Sequence, residues 1–395
     1  DRETITEAIQ AIADANRTAK LGRIPPPLED SPKCPGCSLV GICLPDETRR
    51  LAEEEAGNET QQTDLFDESG VAVRRLGPGS PPRLLLPSRV ECRPLYVNTP
   101  RLRVGKNRGE LVVKEEKREV QRVRLNDVSQ VSLMGSVQLT TQAIQALCEA
   151  EIPVCYFSQR GWFYGITTGL STKNLFLRKA QFALVDEPEY CLNLARRLVA
   201  GKIQNQRTML RRNHVEPPLA VLRDLKTLVG RAEACGSLDS LLGIEGTAAR
   251  HYFGAFPGMI KQESNPAAGP MGFDFRFRNR RPPRDGVNAL LSLAYSLLAK
   301  DLTIACYTVG FDPMAGFYHQ PRHGRPALAL DLMEPLRPLI ADSAVLSAIN
   351  TRMIRERDFV QAGKAVALTP NGRKSFFRAY ELRMDQLVTH PLFNY

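Results

Sequence analysis

Between Asp46 and Gly70 the chain carries nine carboxylates against two arginines, and its apolar residues are few. Such a segment cannot bury enough apolar surface to offset the entropy of ordering itself, so it reads as a solvated, flexible connection. LGPGSPP at 76–82 prolongs it with residues that favour turns and extended backbone. The 395-residue chain is thereby divided at 47–87, and each side must build its own core.

The front piece, residues 1–46, opens on Ile5, Ile9, Ile12 and Ala13 at helical spacing, with Leu21 following. The chain starts at Asp1, directly on this pattern, which suggests a start partway into a domain. GRIPPPLEDSPKC then turns away, its three consecutive prolines barring helix. CPGCSLVGIC places Cys34, Cys37 and Cys43 in a C-x2-C-x5-C array. Three clustered thiolates suit zinc or an iron–sulfur cluster. The other six cysteines (92, 148, 155, 191, 235 and 306) stand singly among apolar residues and read as small buried hydrophobes in a reducing compartment. No apolar run of membrane-spanning length and no charged-then-apolar leader are apparent, so a cytoplasmic protein with no membrane partner is expected. A formal charge of +10 suits a polyanionic partner.

Behind the connection the pattern changes twice. Residues 88–170 are strand-like, with a GKNRG turn at 105–109, β-runs at 128–133, 152–157 and 161–167, and a helix near 140–150. From Leu175 helical periodicity dominates. The fold class expected is α+β: a small β-rich domain at 88–170, then an all-helical domain at 171–395 that carries the chemistry.

That helical half holds Glu245 in GIEGTAARHYF, His319 in DPMAGFYHQPRHGRP, and Asp331 with Glu334 in LALDLMEP. Carboxylates with one imidazole make a mixed oxygen and nitrogen shell suited to Mg²⁺ or Mn²⁺. Gly243 and Gly246 flank Glu245 and would let a backbone approach a bulky ligand. His323 follows His319 by four residues, but Pro321 and Gly324 break any helix, so the pair is not a zinc face. Asp331 and Glu334 are helical neighbours three apart. FDFRFRNRRPPRD carries Arg276, Arg278, Arg280, Arg281 and Arg284, with Phe273, Phe275 and Phe277 interleaved. Guanidinium forks bind phosphate bidentately and aromatic rings stack on unpaired bases, unless the stretch is an edge strand with a solvated face. ARRLVAGKIQNQRTMLRR adds Arg196, Arg197, Lys202, Arg207, Arg211 and Arg212 on one helix, either a solvated face or a second basic surface. A hard metal in a basic protein points to phosphodiester chemistry on nucleic acid.

GIEGTAARHYF, FRFRNRRPPRDGVNALLSLAYSLL, DPMAGFYH and LALDLMEPLRP together resemble the universal CRISPR adaptation integrase, in the family's order and over roughly residues 85–395. The resemblance implies an N-terminal β-domain, a helical catalytic domain, and a metal held by Glu245, His319 and Glu334 with Asp331 adjoining. The front piece resembles the end of the CRISPR-associated RecB-like exonuclease, whose four cysteines hold a 4Fe–4S cluster. Only three are present, so the fourth ligand is not in this chain, and the acid and lysine motifs of that nuclease core are absent. A fusion of prespacer processor and integrase is implied, with single-strand exonuclease activity in the full-length fusion. The integration reaction implied is a transesterification in which a prespacer 3′-hydroxyl attacks a phosphodiester of the CRISPR repeat. The same site acting with water is an endonuclease. The partners implied are double-stranded prespacer DNA with single-stranded ends, repeat DNA, a small ferredoxin-like bridging subunit and a second copy of the chain. A stand-alone structure-specific nuclease of DNA repair and a non-catalytic DNA-binding scaffold are the competing readings.

Overall fold

A computed structural model describes residues 2–21, 27–28, 31–34, 40–58, 92–170, 174–261, 273–279, 282–320 and 322–386. The chain forms two compact units, Asp1–Glu91 with Leu387–Tyr395, and Cys92–Gln386.

The first unit contains α1 (Arg2–Leu21), the single turn α2 (Val40–Cys43) and α3 (Pro45–Asn58). The isoleucine stripe of α1 is exposed. Helix α3 corrects the expectation of a flexible connection over residues 47–58. Pro45 occupies its first position, where no backbone donor is missed, and Asp46 and Glu47 complement the positive end of the dipole. Alanine, glutamate and arginine, which made the stretch look merely solvated, are also strong helix formers. Residues 59–87 lie outside the described residues, as does Cys37. Cys34 is buried and Cys43 is exposed.

The second unit begins with β1 (Arg93–Val97), β2 (Leu102–Asn107), β3 (Glu110–Glu115), β4 (Arg118–Arg124), β5 (Val128–Met134) and β6 (Gln138–Leu139). Helix α4 (Thr141–Glu149), β7 (Val154–Phe157) and β8 (Phe163–Thr167) complete the β-rich part. One sheet runs β4-β3-β2-β6 and the other β1-β5-β7-β8. The anticipated turn joins β2 to β3 through Arg108 and Gly109, with Arg108 at φ 54°. The second sheet is covered on both faces. Val131, Leu133 and Val154 point into a core shared with the first sheet and α4. Met134, Cys155 and Phe157, on the opposite face by the two-residue strand period, join the helical core.

The helical part comprises α5 (Leu175–Val185), α6 (Pro188–Asn213), α7 (Leu219–Glu233), α8 (Leu238–Ala255), α9 (Gly286–Val309), α10 (Ala327–Leu336), α11 (Ser343–Asn350) and α12 (Pro370–Met384). It is not all helical. An antiparallel hairpin, β9 (Phe359–Ala362) with β10 (Ala365–Leu368), packs against α9 and α12. Its strands are four residues each, too short to stand out as a period-two pattern in the sequence. Helix α9 also overturns the statement that no apolar run is long enough to span a membrane. It has the length and a mean hydropathy of 1.4, and the middle of the helical core buries most of it.

Candidate metal centre

Three elements converge on the site. Helix α8 brings Glu245 in its middle, helix α10 brings Asp331 and Glu334, and the loop between α9 and α10 brings His319. Ser237 caps α8 by accepting from Ser240 N–H, and the loop starts from a left-handed Gly310 at φ 102° that ends α9. Gln181 on α5 clamps this loop. Its amide donates to the carbonyls of Asp312 and Ala315 and accepts from Asp312 N–H, each at 2.8 Å. Gly316 must be glycine, because a β-carbon there would lie 2.7 Å from the Ala327 carbonyl carbon. That close approach seats the histidine loop on the start of α10.

Asp331 is fully buried and its carboxylate is an acceptor hub. Oδ2 accepts from the backbone N–H of Phe317 at 2.6 Å and Tyr318 at 2.9 Å. Oδ1 accepts from His319 N–H at 2.8 Å and lies 2.7 Å from His319 Nδ1. A carboxylate there pairs with Nδ1 and fixes the ring's orientation, so that Nε2 faces Glu334. Nε2 lies 3.7 Å from Glu334 Oε1. Asp331 and Glu334, alike in sequence, therefore separate in the structure: the first orients the histidine and the second faces the centre.

The centre itself holds Lys202 of α6. Its ammonium lies 2.5 Å from Glu245 Oε1 and 2.5 Å from Glu334 Oε2. The contact to Glu334 is a charge contact only, since Oε2 has no hydrogen-bonded partner. Arg337 reaches Glu334 Oε1 at 3.0 Å, and Tyr318 donates its hydroxyl to Glu245 Oε2 at 2.5 Å. Burial works to raise the Glu334 carboxyl, but the Arg337 and Lys202 cations outweigh it and hold the group below its usual range. Burial and the adjacent Glu245 charge push the Tyr318 phenol up, so it remains a neutral donor. Two carboxylates and an imidazole nitrogen around one cation, with one buried oxygen lacking a hydrogen-bonded partner, fit a hard divalent ion. Among the described residues no acid or histidine cluster is arranged as a finished metal shell, because Glu245 and Glu334 close on Lys202 instead.

Lys202 was placed by sequence with a basic helix face, and that is corrected here: it is buried. The signal was present, since Ala195, Val199, Lys202, Gln206 and Met209 form one buried stripe of α6 at helical spacing. Arg196 and Arg207 on the same helix donate to the carbonyls of Cys235 and Leu222, while Arg211 and Arg212 are exposed. Gly243 and Gly246 are exposed with open space where a β-carbon would stand, so nothing in the chain itself requires glycine there. His323 is exposed.

The candidate DNA-binding stretch is irregular, not an edge strand. Phe273 and Phe275 are buried in the helical core, and only Phe277 of the three rings is exposed. Arg278 turns inward. It donates to Asn279 O at 2.5 Å and Asn288 Oδ1 at 2.7 Å, and its guanidinium sits 5.4 Å from the Tyr295 ring centre. Arg337 sits 5.1 Å from the same ring, so Tyr295 links the arginine stretch to the acid site. Arg276 and Arg284 are exposed, and Arg280 and Arg281 lie outside the described residues.

The fold and its motifs have close counterparts among known proteins. The family model described as "CRISPR associated protein Cas1" matches residues 95–382. A Cas4/Cas1 exonuclease/endonuclease fusion from Geobacter sulfurreducens is 46% identical over this whole chain and 67% of its own length. A like fusion from Rhodospirillum rubrum is 42% identical over 99% of this chain and 63% of its own length, so the chain spans about two thirds of these relatives. A Cas1 endonuclease from Moorella thermoacetica, 36% identical, matches 76% of the chain and 88% of its own length. Among solved structures a Cas1 protein from Thermotoga maritima superposes with a TM-score of 0.65 at 23% identity, over 74% of this chain and 90% of its own. A casposase bound to integration product superposes equally well, with a TM-score of 0.65 at 23% identity, over 76% of this chain and 84% of its own. The chain therefore belongs to the Cas1 family of CRISPR-associated proteins, with the integrase fold expected of it and relatives that are Cas4/Cas1 fusions.

Proposed function

We propose that this chain is a metal-dependent DNA integrase and endonuclease of CRISPR adaptation, and that Glu245, His319 and Glu334 hold its divalent ion. The observation that carries the reading is their convergence on one buried point, with the His319 ring oriented by Asp331. A bound Mg²⁺ or Mn²⁺ lowers the pKa of an attacking hydroxyl and steadies the charge that develops on the phosphodiester oxygens. The chain's own part is geometric and electrostatic. Asp331 orients the His319 ring through Nδ1, Tyr318 orients Glu245, and Arg337 and Lys202 keep Glu334 ionised. The exposed Arg276 and Arg284 supply backbone contacts to DNA. The reaction is attack of a prespacer 3′-hydroxyl on the CRISPR repeat. It takes place in the cytoplasm, with a ferredoxin-like bridging subunit and a second copy of the chain as partners. A preceding exonuclease part, with an iron–sulfur cluster ligated in part by Cys34, Cys37 and Cys43, trims the prespacer.

The test is strand transfer with a pre-trimmed prespacer, repeat DNA and the bridging subunit. Glu245→Ala and Glu334→Ala should each abolish transfer and branched-DNA cleavage while DNA binding persists. Transfer retained in Glu245→Ala, or transfer by the wild type in a chelator, would sink the reading.

A further inference from the structure

Among the described residues, Lys202 is the one cation that touches both acids of the proposed metal centre. Its ammonium contacts one oxygen of Glu245 and one of Glu334 at equal distances of 2.5 Å. Two carboxylates held this close repel each other unless a positive charge stands between them, and burial strengthens that repulsion. Glu334 is almost fully buried, so water cannot supply the counter-charge. The lysine thus places between the two acids the positive charge that a divalent ion would supply.

We propose that Lys202 is a positioning residue that stands in for the metal: its ammonium holds Glu245 and Glu334 at chelating separation and must leave them when a divalent cation binds. The proposal rests on the metal-centre reading given above. Three observations carry it. First, the acids cannot serve both cations at once. Glu334 Oε1 is already engaged by Arg337 at 3.0 Å, and Tyr318 already donates to Glu245 Oε2. The remaining oxygen of each acid, the pair a dication needs, is the pair Lys202 takes.

Second, the two glutamates are already matched by two cations, Lys202 and Arg337, while Asp331 pairs with His319. Adding a dication beside an unmoved ammonium would set four positive charges against the two glutamates. Third, the two cations are held differently. Arg337 is braced against the Tyr295 ring, whereas Lys202 is a point charge on a flexible four-carbon stem, held at its tip by the two acids. The lysine-closed form is a competing state, and the apparent metal affinity is lowered by the fraction of protein that occupies it.

The direction of this effect separates it from a merely structural role. If Lys202 only braced the site, removing it would loosen the acids and weaken metal uptake. If it competes, removing it tightens uptake. The experiment titrates Mn²⁺ alone into the metal-stripped chain, by calorimetry and by loss of the free-ion paramagnetic resonance signal, for wild type, Lys202→Met, Lys202→Gln and Glu245→Gln. Melting is followed in parallel, with chelator and with Mn²⁺. Both lysine variants should bind Mn²⁺ at least about tenfold more tightly than wild type, as expected if the closed state holds nine tenths of the protein or more. They should also melt lower in chelator and gain more from Mn²⁺.

A variant that folds only when Mn²⁺ is present also supports the proposal, and one that stays unfolded with Mn²⁺ overturns it. Equal or weaker Mn²⁺ binding in both lysine variants, with wild-type binding intact and lost in Glu245→Gln, overturns the proposal alone. If wild type and lysine variants alike take up no Mn²⁺, the metal-centre reading falls and the proposal with it.

Discussion

Asp331 Oδ1 lies 2.7 Å from His319 Nδ1, and the same buried carboxylate accepts three consecutive backbone N–H groups from Phe317, Tyr318 and His319. One side chain therefore sets both the path of the histidine loop and the orientation of the ring it carries. Each N–H left without an acceptor inside the protein costs roughly 1–3 kcal/mol. Asp331→Ala should accordingly lower the melting temperature sharply. Asp331→Asn keeps an acceptor oxygen and the shape but weakens the hold on Nδ1. Its expected effect is a loss of about 10- to 100-fold in metal affinity or strand transfer, with the fold retained. Glu334→Gln should abolish Mn²⁺ uptake outright. Finding Asp331→Asn the more damaging of the two in calorimetry would reverse their assigned roles.

The arginines around 276–284 divide into an inward and an outward set, and mutation should divide them too. Arg278 bonds Asn279, Asn288 and Ser292 and lies against Tyr295. Arg278→Ala should cost about 2 kcal/mol of stability. The slope of log affinity for DNA against log salt should stay as it is. Arg284→Ala, at an exposed position, should leave the melting temperature alone and flatten that slope by about 0.9 if it meets duplex phosphate. The opposite pairing of results would mean that the inward network opens on DNA.

Asp342 gives the fold a pH dependence of its own. It is fully buried at the end of a π-helical turn, Arg337–Asp342, and accepts from Tyr252 at 3.0 Å and Tyr295 at 2.7 Å. Burial pushes its carboxyl up to about 6, although the two phenols and the Arg278 and Arg337 charges pull the other way. Raised above the 3.8 of an unfolded aspartate, the group favours the folded state fully below about pH 4 and loses that contribution as pH climbs through about 6. The span corresponds to about 3 kcal/mol. Asp342→Asn has no proton to lose. The stability of wild type relative to this variant should therefore fall between pH 4 and 7, read from denaturant midpoints at each pH. A difference that is flat across that range would show that Asp342 titrates normally.

Periodicity made the two-part plan of the second unit legible. The β-runs and the α4 helix fall where alternation and helical spacing put them, because each has one face committed to a core. The three residues proposed as ligands stand out in the sequence as chemistry, since few side chains can ligate a hard cation. What stayed hidden was set by partners distant in sequence. Gln181 looks like any polar residue of an amphipathic helix, and only the fold brings Asp312 and Ala315 to it. The aromatic alternation of Phe273, Phe275 and Phe277 suggested a base-stacking strip. The core took the first two, because Phe253, Phe256 and Phe359 present rings for them to pack on. Lys202 was misread for a simpler reason. A lysine among arginines looks solvated until its position on the buried stripe of α6 is weighed above its charge.

The cysteines of the first unit carry the last prediction. The C-x2-C-x5-C array, with Cys34 buried and Cys43 exposed, is the one proposed to ligate an iron–sulfur cluster, and a segment rich in proline has little core of its own. About a third of the Geobacter sulfurreducens fusion relative is not matched by this chain. The natural full-length protein purified without oxygen should be brown and contain about four irons per chain. Cys37→Ser should bleach it and lower the melting temperature of the first unit, because metal binding there is folding energy. Integration of a pre-trimmed prespacer should survive the same substitution, since residues Cys92–Gln386 form a compact unit with its own core and hold every residue of the proposed metal centre. A colourless protein with stoichiometric zinc would rule out the iron–sulfur cluster. Loss of integration in Cys37→Ser would rule out the independence of the two units.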